Sequence, residues 1–263
     1  MPISVLPAEP IMLDALRLSV GTLTIVPSGA ITEIDRRTAA RAMIIAPLAV
    51  LPLAAAVVLV GWLGRTAGLP SLAVGLLVVG GLALGSRALH LDGLADTVDG
   101  FGSGWTAERS LTVMRRGDVG PMGVATLIIV LGLQAVSVGE LIQGLPGALL
   151  VGAAVCCSRV ALCLTCVRGV RAARGDGLGV AVAGSVPRVA AAGCWLAVLL
   201  IMGWAAWLSG HSVVNGVAAA VAAAAIVGAL VYRCVRRLSG VTGDVMGAAI
   251  EVAFTVMITV MII

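Results

Sequence analysis

The chain has 263 residues, of which 60% are hydrophobic and only 11% are charged. This composition excludes an ordinary soluble domain and is typical of a polytopic membrane protein. The formal net charge is +4 and the basic residues other than histidine are all arginines. In a membrane protein, such a balance indicates topology signals and phosphate contacts, and we expect no nucleic-acid partner.

The N-terminal region predicts a helix that does not cross the bilayer. Residues 11–26 are apolar enough to touch lipid, but they include Asp14 and Arg17 and are followed by Pro27. The stretch is too short to span a membrane comfortably. We therefore expect an interfacial or re-entrant helix ahead of the first span.

Seven longer apolar stretches predict membrane-spanning helices. Pro47 and Pro52 lie within the first stretch and predict kinks there. The fold class is therefore all-α, a polytopic membrane helix bundle of about seven spans that forms a single integral membrane domain over residues 1–263. The predicted spans are residues 42–63, 69–84, 122–142, 145–167, 189–208, 213–232 and 245–263.

An acidic motif follows the second predicted span, where residues 90–100 read His-Leu-Asp-Gly-Leu-Ala-Asp-Thr-Val-Asp-Gly. Asp92, Asp96 and Asp99 are spaced i, i+4 and i+7, which places them on one face of a helix. Their charges repel unless a cation neutralises them, and oxygen ligands at this density favour Mg2+. We predict a metal site here, although a solvated acidic loop between two spans has the same composition. Gly93 and Gly100 leave room for the close approach of another backbone or for a break in the helix.

His90 directly precedes this motif and is a further catalytic candidate. Its side chain could orient a carboxylate or shuttle a proton. The sequence equally allows His90 to be a residue that only ends a helix.

The distribution of arginines predicts the orientation of the protein. The N-terminal region and the loops at residues 87–120, 168–188 and 233–244 contain nearly all of them, whereas the intervening turns contain only Arg65. By the positive-inside rule these loops face the cytoplasm. We therefore expect a multi-pass protein of the cytoplasmic membrane, with one site formed by the three loops on the cytoplasmic side.

Arg115, Arg116 and Asp118 are candidates for substrate binding. The two arginines and the acid lie among glycines, a spacing that can hold a phosphate while orienting a metal. The arginines could instead act only as a positive-inside anchor.

Three ionisable residues lie in or beside the predicted spans. Asp244 and Glu251 are spaced i and i+7 on the last span, and Arg159 lies inside an earlier one. Ionisable groups inside a membrane are functional candidates by default, although pairing of Glu251 with Arg159 would serve structure equally well.

Clustered acids and arginines at a cytoplasmic membrane surface indicate phosphoryl or phosphodiester transfer. Carboxylates would hold Mg2+ on a pyrophosphate and arginines would bind the remaining oxygens. The pattern indicates this class of reaction without naming a substrate.

Residues 90–100 closely resemble the signature of the adenosylcobinamide-GDP ribazoletransferase family, also called cobalamin synthases. The resemblance extends over nearly the whole chain. Its other parts are residues 16–27, the arginine-aspartate-glycine segment at 114–123, the glycine loop at 174–179, and the C-terminal signature at 240–248 with Glu251.

The resemblance implies an enzyme that joins the 5′ oxygen function of α-ribazole, as its free hydroxyl or its 5′-phosphorylated form, to adenosylcobinamide-GDP and releases GMP. It implies that the three acids of the motif bind Mg2+ and that one of them or His90 assists deprotonation. Phosphate contacts would come from Arg115, Arg116 and Arg174. Asp118, Asp244 and Glu251 would act as further metal ligands or would orient the arginines.

Two other functions remain open from the sequence. Asp96-x-x-Asp99-Gly100 superficially resembles the start of a CDP-alcohol phosphotransferase motif, but the rest of that motif is absent. A cation-coupled transporter could use Glu251 and Arg159, although most acids cluster at the membrane boundary rather than at the midplane. The sequence also leaves open whether the protein forms a homo-oligomer.

Overall fold

The computed structural model describes residues 8–31 and 34–263, and the side chains from residue 12 onward. The described residues form a bundle of helices, joined by loops that contain only isolated β-bridges. In chain order the helices are α1 (Ala8–Leu23), α2 (Arg36–Ala49), α3 (Leu51–Thr66), α4 (Ser71–Gly85), α5 (Leu89–Gly102), α6 (Ala107–Val113), α7 (Pro121–Leu141), α8 (Leu145–Ser158), α9 (Ala161–Thr165), α10 (Leu178–Val182), α11 (Arg188–Leu208), α12 (Val213–Leu238) and α13 (Gly243–Met261).

Six helical segments in the described part of the chain are long and apolar enough to cross a membrane. Helices α2 and α3 together form one of them, Arg36–Thr66, and α8 with α9 forms another, Leu145–Thr165. Helices α7, α11, α12 and α13 are the other four. Helix α4 passes the same test only together with α5, from which it is bent by 89°. The predicted all-α, polytopic bundle of about seven spans is confirmed.

Proline placement explains the break inside the first segment. Pro47 lies in the last turns of α2, which ends at Ala49, and Pro52 lies in the first turn of α3. A proline removes one helical hydrogen bond, but it is tolerated in the first turn because that N–H has no partner within the helix. The kinks expected from the sequence are therefore realised as a division into two helices.

A sharp turn between α4 and α5 redirects the chain. Arg87 and Ala88 have φ angles of 57° and 54°, in the left-handed region that non-glycine residues adopt at a cost. Helix α1 and the residues after it hold this turn, since Arg87 donates to the Gly21 carbonyl at 2.5 Å and Ile25 donates to the Gly85 carbonyl at 2.7 Å. The loop expected at 87–120 is thus largely helical, because it contains α5 and α6.

Helix α5 packs between α7 and α13, and glycines allow its approach to α13. A Cβ atom on Gly93 would lie 2.6 Å from the carbonyl oxygen of Asp244, and one on Gly247 would lie 3.0 Å from the Cα of His90. Both contacts are closer than ordinary packing allows. The expected close backbone approach at Gly93 is confirmed, and it brings the acidic motif against the start of α13.

Candidate active site

Three loops that lie far apart in sequence meet at one end of the bundle. The Ala173 amide donates to the Val241 carbonyl at 2.9 Å, and the Val241 amide donates to the Arg171 carbonyl at 2.9 Å. Arg174 reaches the third loop, because its Nη2 donates to the Leu111 carbonyl at 3.2 Å. The loops at 87–120, 168–188 and 233–244 therefore contact one another in the structure.

Asp92, Asp96 and Asp244 form an acidic cluster at this junction. Each of the other two carboxylates repels that of Asp96. Asp96 is buried, with 7% of its surface exposed, whereas Asp92 is exposed. Arg174 attracts the cluster and places its Nη1 3.3 Å from the Asp244 carboxylate. One arginine against three acids leaves an excess of negative charge, which favours a cation.

Helix α13 positions Asp244 through its N-terminal cap. Thr242 is the capping residue, and its hydroxyl accepts the Val245 amide at 3.3 Å while donating to the Asp244 carboxylate at 3.0 Å. An acid in the first turn of a helix is also stabilised by the helix dipole. The carboxylate is therefore held toward Arg174 rather than free to rotate.

A cavity of about 360 Å3 opens beside the cluster, between α1, α5 and α13. His90, Asp92, Asp244 and Arg87 contribute its polar lining. A larger cavity of about 810 Å3 lies between α2, α3, α8 and α11, and its lining contains no acid, arginine or histidine. Since phosphate chemistry needs charged groups, the smaller cavity is the candidate active site.

Asp99 makes different contacts from the other two acids of the motif. Its two carboxylate oxygens accept the amides of Gly120 at 2.7 Å and Gly123 at 2.9 Å. These amides belong to the start of α7, so Asp99, which lies on the neighbouring α5, caps that helix. The structure thus places Asp99 at the α7 N-terminus, while Asp244, a less prominent candidate from the sequence, joins Asp92 and Asp96.

No preformed metal centre is evident in residues 8–31 and 34–263, where no three histidine, cysteine or acidic side chains are arranged to hold an ion. The donor set still suits Mg2+, which is commonly held by one or two carboxylates together with substrate phosphates. Asp92, Asp96 and Asp244 can supply those carboxylates.

His90 and Glu251 lie deeper in the bundle. His90 is buried, and its Nδ1 lies 3.9 Å from Glu251 Oε1. The other oxygen of Glu251 accepts the side-chain amide of Gln134 at 2.8 Å, and the same amide donates to the Thr255 hydroxyl at 2.9 Å. Gln134 was missed in the sequence, although a polar amide within an apolar span is a recognisable signal.

Arg159 belongs to this deeper region as well. It is buried, and its Nη1 donates to the Val155 carbonyl at 2.7 Å and to the Ser158 hydroxyl at 2.9 Å. Arg159 and Glu251 line one small cavity and attract each other. Within the described residues they are not an ion pair closer than 4 Å. Arg159 and Glu251 therefore attract each other at longer range and do not form the direct ion pair that the sequence left open.

The Arg115–Asp118 segment lies on the exposed surface of the loops. Arg115 Nη2 donates to both carboxylate oxygens of Asp176 at 2.8 Å. Arg116 and Asp118 are exposed, and neither makes an ion pair within the described part of the chain. Asp176 was also missed, although it lies within the glycine loop that drew attention to Arg174.

The fold and the site together define a class, a multi-pass helical membrane protein whose acids and arginines at one end suit phosphate chemistry. The family model described as cobalamin-5-phosphate synthase matches residues 15–262. The chain belongs to the cobalamin-5-phosphate synthase family.

Two curated relatives agree with this assignment. One from Nocardioides sp. (strain ATCC BAA-499 / JS614), named adenosylcobinamide-GDP ribazoletransferase, is 53% identical over 176 residues, which cover 67% of this chain and 76% of the relative. A protein of the same name from Frankia casuarinae is 38% identical over 203 residues, covering 72% of this chain and 71% of that protein. No solved structure matches the chain.

Proposed function

We propose that this protein is an enzyme, an adenosylcobinamide-GDP ribazoletransferase that joins α-ribazole or its 5′-phosphate to adenosylcobinamide-GDP. This is the final assembly step of cobalamin biosynthesis. Family membership and the names of the relatives support it. The structural observation that carries it is the cluster of Asp92, Asp96, Asp244 and Arg174 beside a cavity. Family membership also favours this activity over the CDP-alcohol-type and transporter alternatives.

The proposed reaction breaks the phosphoanhydride bond of the GDP group and forms a new phosphate ester. A ribose hydroxyl oxygen forms a bond to the phosphorus on the cobinamide side, and the bond from that phosphorus to the bridging oxygen breaks. GMP leaves with the electron pair, and the hydroxyl proton passes to an acid of the cluster or to His90. The family description names a cobalamin 5-phosphate. A 5′-phosphate that persists in the product cannot provide the attacking oxygen, so the nucleophile is another ribose hydroxyl.

Charge neutralisation is the main demand of this reaction, because a pyrophosphate must approach three carboxylates. Mg2+, when bound by Asp92, Asp96 or Asp244, would neutralise the pyrophosphate and the departing GMP. Arg174 lies at the cluster and is placed to contact a phosphate oxygen. Arg115 is exposed and forms a surface ion pair with Asp176. Such pairs contribute little stability, so a substrate phosphate can replace Asp176 as the partner of Arg115.

We further propose that the protein lies in the cytoplasmic membrane with this site facing the cytoplasm. The arginines concentrate in the loops that meet at the site, as the positive-inside rule requires of cytoplasmic loops. A cytoplasmic site would also have access to the guanine nucleotide substrate.

The test of the reaction is an assay of the purified, full-length protein with adenosylcobinamide-GDP, Mg2+ and either α-ribazole or its 5′-phosphate, in which GMP and the joined product are measured. We expect Asp92→Asn and Asp96→Asn to reduce the rate on the order of 100-fold or more, if metal positioning supplies several kcal/mol. Glu140→Gln, an exposed acid outside the site, is the matched control. Absence of GMP would reject the activity, whereas full turnover in excess chelator would reject only the metal.

Glu251 provides a separate test against the transporter function. A Glu251→Gln variant keeps the shape of the side chain and can still bond with Gln134. If the protein is the proposed enzyme, we expect this variant to release GMP more slowly than the parent protein. A transporter would instead show altered ion dependence of uptake into vesicles and no nucleotide product at any stage.

A further inference from the structure

The end of α12 carries arginines that the proposed reaction does not use. Arg233 and Arg236 are exposed, and Arg237 is half-buried. Among the residues that the structure describes, no carboxylate lies within 4 Å of these three side chains. None of them lines the cavity beside the acidic cluster. This positive charge is therefore uncompensated and lies outside the candidate active site.

Two aromatic rings from the end of α5 and the link after it complete this surface. The guanidinium carbon of Arg233 lies 5.7 Å from the centroid of Phe101, and that of Arg237 lies 5.2 Å from the centroid of Trp105. Both distances are within the range of cation–π contacts. Trp105 is 90% exposed, so most of its ring remains open to another partner. We name Trp105, Arg233, Arg236 and Arg237 the α12 basic patch.

The length of α12 indicates the depth of this patch in a membrane. Its 26 residues extend about 39 Å at the helical rise, whereas the hydrocarbon core is about 30 Å thick. The last turns therefore reach the headgroup layer. Tyr232 directly precedes the arginines and is 68% exposed. Tyrosine and tryptophan concentrate at this depth, where one part of the ring is apolar and the other is wet.

We propose that the α12 basic patch binds the phosphate of an anionic phospholipid headgroup. The three guanidinium groups supply positive charge and hydrogen-bond donors for phosphate oxygens, and the charge is the larger part of the attraction. The Trp105 ring offers an amphipathic surface for the glycerol region of the same lipid. Phe101 lies in the last turn of α5 and contacts Arg233. The bound lipid would therefore lie against the helix that carries Asp92 and Asp96. The proposal does not depend on the reaction assigned to the site.

The experiment compares two lipids with the full-length protein reconstituted in phosphatidylcholine membranes. Trace amounts of spin-labelled phosphatidylglycerol or phosphatidylcholine are added, and electron paramagnetic resonance measures the fraction immobilised by the protein. We expect preferential association of phosphatidylglycerol. A variant with Arg233, Arg236 and Arg237 changed to Gln should lower that preference by at least fivefold, since a single basic residue near a surface already contributes about that factor. The same residues changed to Lys should retain most of it.

A matched control removes equal charge elsewhere, by changing Arg36, Arg37 and Arg41 at the start of α2 to Gln. Retained preference in this control, with loss in the patch variant, supports a site. Equal loss in both variants would show diffuse attraction and overturn the proposal, as would equal association of the two lipids in the unaltered protein. Loss in the Lys variant would show that the Gln effect is structural. Displacement of the labelled phosphatidylglycerol by GDP would assign the patch to a nucleotide and also overturn it.

Discussion

Arg174 and Asp244 approach within 3.3 Å of each other, although they come from different loops. Arg174 also donates to the carbonyl of Leu111, at the end of α6. The guanidinium of Arg174 thus connects the glycine loop at 174–179 with the start of α13 and with α6. The position of the acidic cluster depends on all three segments, and Arg174 is the side chain common to them.

Replacing Arg174 by Gln should raise the KM for adenosylcobinamide-GDP by about tenfold or more, since a hydrogen bond to a charged group contributes about 1.5–3 kcal/mol. GMP release at varied substrate concentration measures this. Arg188→Gln is the matched control, because among the described residues that exposed arginine donates only to the Arg168 carbonyl. Similar KM values for the two variants would show that Arg174 has no particular role in binding.

Replacing Asp99 by Asn should destabilise the protein, because an amide group cannot accept both the Gly120 and the Gly123 N–H. One buried donor left without a partner costs about 1–3 kcal/mol. Thermal denaturation of the solubilised protein measures the loss. Asp92→Asn should cause none, because Asp92 is exposed and repelled by its neighbours. If Asp99→Asn is instead as stable as the parent but needs more Mg2+, Asp99 is the metal ligand that the sequence predicts.

Replacing Gly93 by Ala should separate α5 from α13, because the added Cβ would lie 2.6 Å from the Asp244 carbonyl oxygen. Overpacking of this kind costs about 1–3 kcal/mol, and the displaced Asp244 should reduce GMP release as well. Gly228→Ala on α12 is the control, since a Cβ there would have no neighbour within 4 Å among the described residues. Equal melting temperatures for the two variants would contradict the close packing of α5 and α13.

The proposed orientation predicts that Arg109 and Arg236 face the cytoplasm and that His211 faces outward. His211 precedes Ser212, the N-cap of α12, and Arg236 lies in the last turn of that helix, so the two positions are at opposite ends of it. Each residue is changed to Cys in a background without the native cysteines and is labelled with a membrane-impermeant thiol reagent. We expect labelling of intact cells only at position 211. Labelling at position 109 from outside would reverse the orientation and remove the site from cytoplasmic nucleotides.

The sequence alone determined the class of the protein and the residues to consider for a candidate site. Long apolar stretches can satisfy their backbone groups in lipid only as helices, so hydropathy predicts the bundle directly. The spacing of Asp92 and Asp96 predicts one helical face, and α5 confirms the helix. The positions of the arginines predicted which loops meet, because charged loops must lie at the membrane surface rather than within it.

Only the tertiary structure decided which acids share a site. The motif offers three aspartates on one helical face, and nothing local shows that Asp99 caps α7 while Asp244 comes near Asp92 and Asp96. The same holds for the 89° bend between α4 and α5, which contacts with α1 stabilise. The physical reason is that helical periodicity fixes only the direction in which a side chain leaves the axis of its own helix. Which neighbour it meets depends on how α5 packs between α7 and α13, and those helices follow much later in the chain.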